Sequence, residues 1–138
     1  MTKPYLTKVR WAEFGEGRQI YGLCIAGGAW EIADIDWTNV YKGWLLGEDC
    51  EGVVACIQIK FGVPFANLEM LFVHPAVTPR QRALIVRDMS EIACSVARDA
   101  GAQVVHFSIP NHMKRWQQVV ERRRCVPYYP AMSYLRKV

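Results

Sequence analysis

The side chains best suited to chemistry in this sequence are three histidines, five cysteines and a run of cations in its second half. His74, His106 and His112 share no ligand spacing with one another or with the cysteines, so no metal site is read. His74 ends an apolar run just before Pro75 and is the one histidine placed to act as a base, since imidazole exchanges protons near neutral pH. His106 falls inside an apolar stretch and reads as a hydrogen-bonded core residue. Cys24, Cys50, Cys56, Cys94 and Cys125 are odd in number, irregularly spaced and without a C-x-x-C pair, which excludes a zinc cluster and a disulfide framework. Cys56 and Cys94 sit on apolar patterns as small core residues, and a reducing, cytoplasmic setting fits best.

Charge is divided unevenly along the chain. Residues 1–77 hold six Lys/Arg against nine Asp/Glu, a net of −3, and residues 78–138 hold eleven against four, a net of +7. A basic half invites an anionic partner: cofactor phosphates, nucleic acid or an acidic protein face; a solvated face with no partner is the alternative. Lys114-Arg115 and Arg122-Arg123-Arg124 lie two helical turns apart, but Trp116 is the one tryptophan among them. Nucleic-acid binding through this cluster would want exposed aromatics interleaved with it. The five tryptophans, Trp11, Trp30, Trp37, Trp44 and Trp116, read instead as core and interface residues.

These side chains need a scaffold. With 138 residues, 51% apolar and 22% charged, the chain is expected to form one globular domain over 1–138. No apolar run approaches the roughly 18 residues of a membrane span, and the start, with Pro4 and no continuous apolar stretch, is not read as a secretion signal. Leu6 to Phe14 suggests a first strand, 18–25 a short helix stopped by Gly27-Gly28, and Asp34 to Tyr41 a second short helix. Residues 44–46 and 53–61 read as an antiparallel hairpin around the polar turn 47–52, and Leu68–Val73 as a further strand.

The strongest local signal follows. Thr78 can cap a helix, Pro79 suits its first position and Gln81 completes a capping box; Ile85, Met89, Ile92 and Val96 then form an apolar stripe that Gly101 stops. Residues 103–109 read as a strand, Asn111 as the cap of a helix carrying Met113, Trp116 and Val119-Val120, and Met132–Leu135 as a last strand. Strand, long helix, strand implies a right-handed parallel crossover in a mixed sheet.

That order, β-β-β-α-β-α-β from residue 43, resembles the GNAT superfamily of acetyl-CoA-dependent N-acetyltransferases. Leu71-Phe72-Val73-His74-Pro75 looks like the family's fourth strand ending in V-x-P, and Asn111 stands where its N-x-x-A segment begins. The motif-bearing resemblance covers residues 68–138. It implies an α+β, three-layer fold with a mixed, largely antiparallel central sheet and helices on both faces. It also implies acetyl-CoA as cofactor, held by Phe72, Val73, Thr78, Arg80, Gln81, Arg82, Ala83 and Asn111, and an amine as acceptor. The phosphate loop of the family is Q/R-x-x-G-x-G/A; here it is Thr78-Pro79-Arg80-Gln81-Arg82-Ala83, in which only Ala83 agrees and charge replaces the glycines.

Acetyl transfer needs a base for the amine proton and an acid for the leaving thiolate. Glu69 is the base the resemblance points to, with an ordinary strand carboxylate facing water as the alternative; His74 is a second candidate. The family's acidic tyrosine would fall at Gln118 to Val120, where there is none, leaving Tyr128, Tyr129 or Tyr134 as substitutes. The missing glycines and tyrosine equally suit a non-catalytic GNAT-like module, a phage virion or host-directed protein, acting with a protein partner, as a homo-oligomer or within a larger assembly.

Overall fold

The computed structural model describes residues 3–28, 36–110 and 112–122. Five strands, β1 (Lys8–Trp11), β2 (Trp44–Asp49), β3 (Gly52–Lys60), β4 (Phe65–Val73) and β5 (Val104–Ser108), form one sheet in the order in which they occur in the chain. The first four are antiparallel to their neighbours, and β5 runs parallel to β4. Helices α1 (Gly17–Ala26), α2 (Pro79–Asp99) and α3 (Lys114–Arg122) complete the described elements with a 3₁₀ turn at Trp37–Asn39.

Both faces of the sheet are covered, giving two cores. On one side Leu45, Ile57, Leu68, Leu71 and Val73 pack against Ile85, Met89 and Ala93 of α2 and Trp116 and Val120 of α3. On the other, Trp44, Leu46, Cys56 and Phe72 pack against Ile20, Leu23 and Cys24 of α1 and against Trp37. The apolar period of α2 is what permits this. Its buried row, Ile85-Val86, Met89, Ala93 and Ala97, follows the helical repeat, whereas Ile92 and Val96 of the expected stripe are only half-buried at its flank. The crossover expected between the strands on either side of α2 is present: Leu68 pairs with Phe107 in parallel register.

The cap of α2 forms as its sequence dictates. Thr78 Oγ1 accepts from Gln81 N at 3.2 Å, Gln81 Oε1 accepts from Thr78 N at 2.9 Å, and the helix runs 21 residues before Gly101 at φ +105° ends it.

Four readings change. The strand expected from Leu68 begins at Phe65, because Phe65 and Ala66 already pair with Val104 and Val105. The hairpin turn is narrower than 47–52: Asp49 pairs with Gly52, and Asp49 Oδ1 accepts from Glu51 N at 2.8 Å, leaving Cys50-Glu51 as the loop. In place of a second helix, the described part of 34–41 is a three-residue 3₁₀ turn capped by Asp36, whose side chain accepts from Thr38 N. His106 is exposed rather than in the core, since its neighbours Val105 and Phe107 take the face toward α2 and strand alternation turns it the other way. Trp37, Trp44 and Trp116 are buried as expected, while Trp11 is 45% exposed and meets Phe61 in a tilted ring contact, centroids 5.9 Å apart. The last strand, Trp30 and Cys125 lie outside the described residues.

Candidate functional site at the β4–β5 fork

The sheet opens at one place. β4 and β5 pair from Phe65↔Val104 to Glu69↔Ser108; there β5 ends, and among the described residues β4 continues through Met70–Val73 with β3 on one side and no strand on the other. Two local features cause the parting. Pro110, two residues past β5, has no N–H to offer a ladder. In β4 the pairing with β3 steps from Cys56↔Phe72 to Gln58↔Glu69, three residues against two, so one residue of β4 is extra. This is a β-bulge, and Met70 sits in it at φ +60°, a left-handed conformation that costs a non-glycine residue about 1–2 kcal/mol.

The bulge also explains the burial pattern. Ala66 and Leu68 face α2, and so do Leu71 and Val73; only an inserted residue lets Leu68 and Leu71, three apart, share a face. Bulges bend a strand and increase its twist, which carries residues 70–73 away from β5.

Around the fork three segments converge. Gly27, ending α1, lies so close against Phe72 that a Cβ there would run into the ring. His112 Nε2 lies 3.3 Å from the carbonyl oxygen of Gly27, linking the start of α3 to the end of α1. Met113 packs against both hydrophobic cores, a position available to a side chain where the intervening sheet is open.

At the base of the fork a polar ladder crosses three strands. Lys60 Nζ lies 2.5 Å from Glu69 Oε1; Asn67 Nδ2 donates to Glu69 Oε2 at 3.2 Å; Ser108 Oγ donates to Asn67 Oδ1 at 2.9 Å. Glu69 is thus the last paired residue of β4 before the opening, with a side chain 22% exposed and on the face away from α2. It is neither a plain solvated carboxylate nor a free one.

The turn into α2 is the other half of the site. His74 Nδ1 accepts from Ala76 N at 3.1 Å, so the neutral ring carries its proton on Nε2. The carbonyl oxygen of His74 accepts from Val77 N and from Arg82 Nη2 at 3.3 Å. The amides of Ala76, Val77, Thr78 and Gln81 are therefore all occupied within the turn, and Pro79 has none. Thr78 and Arg80 are exposed; Gln81, Arg82 and Ala83 are half-buried.

A coenzyme A molecule can be tested against these residues. The edge of Leu71–Val73 left open by β5 offers extended backbone N–H and C=O groups of the kind a pantetheine arm, itself an amide chain, takes up by adding like a strand. The diphosphate end fits less closely. A helix start favours anions through its dipole, but here the capping box uses the amides of Thr78 and Gln81, so that the Arg80 amide and the guanidinium groups of Arg80 and Arg82 remain.

The proposed site residues thus divide. Glu69, Phe72 and Val73 line the fork; His74, Thr78, Arg80, Gln81, Arg82 and Ala83 form the turn beyond it; Asn111 and Tyr128, with Tyr129 and Tyr134, lie outside the described residues. In α3, Gln118 is exposed, Val119 half-buried and Val120 in the core, so this stretch holds no acid. The basic residues Lys114, Arg115 and Arg122 are exposed, but Trp116 is buried at 1%, its Nε1 donating to Ser90 Oγ, and offers no stacking surface. Sequence reasoning missed Met70, Gly27, His112 and the Lys60–Glu69–Asn67–Ser108 ladder. A left-handed methionine leaves no compositional trace, and the ladder exists only once register is fixed.

The sequence matches no family model and no curated protein. The fold does have counterparts among solved structures. A glucosamine-6-phosphate N-acetyltransferase from Arabidopsis thaliana superposes with a TM-score of 0.62 at 13% identity, over 93% of this chain and 97% of that one. A ribosomal-protein-alanine N-acetyltransferase from Brucella melitensis gives 0.61 at 11% identity, over 95% and 98%. The protein Rv2747 from Mycobacterium tuberculosis, solved in complex with CoA, gives 0.59 at 17% identity, over 80% and 69%. No helix among the described residues is long and apolar enough to cross a membrane.

Proposed function

Taking as premise that the chain has the GNAT fold, we propose that it binds a coenzyme A thioester along the free edge of β4 and acetylates an amine. The observation that carries this reading is the fork: a bulge at Met70 that parts β4 from β5 one residue beyond a half-buried glutamate. The bound thioester supplies the acyl group. Phe72, Val73 and the backbone of Leu71–Val73 hold the arm, and Arg80 and Arg82 neutralise the diphosphate. Glu69 takes the proton of the incoming amine, held in place by Asn67 and, through it, by Ser108. Titration with acetyl-CoA by calorimetry, followed by an amine panel, tests the reading: saturable heat at micromolar to millimolar ligand supports it, and its absence at millimolar ligand sinks it.

A second reading, a GNAT-like binding module without catalysis, in a phage or host-directed assembly, is favoured by the occupied amides of the α2 turn and by Val120 standing buried where an acid would be. Coenzyme A binding without turnover of any amine, together with a stable complex on light scattering, supports this alternative.

A further inference from the structure

Lys60 presents its ammonium to the carboxylate that the proposed reaction needs as its base. The two residues come from neighbouring antiparallel strands. Lys60 pairs with Asn67 and Glu69 with Gln58, so the lysine reaches diagonally along one face to bring Nζ to 2.5 Å from Oε1. An acceptor amine handing its proton to Glu69 must occupy hydrogen-bonding distance of that carboxylate, and Lys60 already does. Its side chain is 59% exposed, so it is tethered at one end and free to swing toward the fork, one residue away from Glu69. Arg10, by contrast, is held by two carboxylates, Glu16 and Glu48, and cannot leave them without stranding both.

We propose that Lys60 is itself an acetyl acceptor: the chain acetylates its own Lys60 in an intramolecular step, with Glu69 as the base. The inference rests on the reading of the fork as a thioester site. Lys60 Nζ attacks the carbonyl carbon of the acetyl thioester. A C–N amide bond forms and the C–S bond breaks; of the two protons that leave Nζ, one passes through Glu69 to solvent and the other ends on the departing thiol. The product is an uncharged acetyl-lysine. Its formation frees Glu69 of its ion pair, so the modification leaves the base open to external amines. Tethering explains why this amine outcompetes others: the effective concentration of a side chain already at the base exceeds any free amine in solution.

The test is a time course of full-length protein with acetyl-CoA, read by peptide mass at each lysine, alongside calorimetry with CoA alone. Lys60 is expected to gain one acetyl group about a hundredfold faster than Lys8, Lys42 or Lys114, the margin a positioned base supplies. The rate should be independent of protein concentration, and Glu69→Gln should remove that margin. CoA heat with Lys60 labelled no faster than the other lysines, or with the Lys60 rate unaffected by E69Q or rising with protein concentration, overturns the inference and leaves the proposed binding site standing. No CoA heat and no preferential labelling overturns both. Lys60→Arg should keep the CoA heat and abolish only the fast-labelled peptide, which separates lost modification from a lost fold.

Discussion

The two ends of the candidate cofactor site differ in how their backbone is satisfied. At the α2 turn, four amides are bonded by side chains and carbonyls of the turn itself, which leaves the Arg80 amide as the one such group facing outward among Ala76–Gln81. At the fork, β4 from Met70 to Val73 has β3 on one side and among the described residues no strand on the other, and the strain of a left-handed methionine is retained. The contrast is physical. A side chain can stand in for a ligand where the demand is for one or two hydrogen bonds at a helix cap, as Thr78 and Gln81 do. It cannot stand in for a whole strand.

The sharpest way to break this comparison is to delete Met70. Without the extra residue, Leu68 and Leu71 fall two apart and alternate regularly, so both stay on the α2 face while the left-handed strain and the bend that part β4 from β5 are lost. Cooperative unfolding by circular dichroism should survive while the calorimetric heat with CoA is lost; undiminished CoA heat would mean that the fork does not depend on the bulge. Next in size is Gly27→Val, which drives a branched side chain into the Phe72 ring. It should lower stability by about 1–3 kcal/mol in urea denaturation, with weakened CoA binding because Phe72 must shift. Gln81→Gly sharpens the other end. It removes half the capping box at a cost of about 1 kcal/mol, yet frees the Thr78 amide, so CoA affinity should rise while the melting temperature falls. Equal losses of both would show that the cap does not compete with the ligand.

The smallest effect is electrostatic. Hydrogen bonds from the Arg10 guanidinium, against a weaker opposing effect of burial, hold the Glu16 carboxyl below the usual carboxylate range. A depressed folded-state value contributes stability that is present above the unfolded value, about 4.3, and is lost as pH falls through the folded one. Acid titration of stability should flatten in that window in Arg10→Met, and an unchanged profile would dissociate Glu16 from it.

The fold was legible in the sequence wherever the signal was local. Thr78-Pro79 with Gln81 specified the start of α2, and the apolar run through Val73 followed by a long amphipathic helix specified the parallel crossover. The site is half legible. The family resemblance points to Glu69, but its partner Lys60 lies nine residues earlier and meets it only through the β3–β4 register. The apolar neighbours of His106 suggest a core position, whereas β5 turns only Val105 and Phe107 toward α2 and alternation puts His106 at the surface. The described part of the helix expected over 34–41 is only a 3₁₀ turn because Asp36 caps a single turn, after which Val40 returns to extended backbone.

The buried carboxylate of Asp88, halfway along α2, reaches back to the beginning of the chain. Its Oδ2 accepts from the amides of Tyr5 and Leu6 at 2.7 and 3.0 Å, while Arg87 steadies Oδ1 and donates to the Lys3 carbonyl. Every strand of the sheet can join its predecessor as it leaves the ribosome, because spatial order follows sequence order. Tyr5 and Leu6, next to a strand that can pair with β2 early, gain these two bonds only once Asp88 has been made, more than eighty residues later.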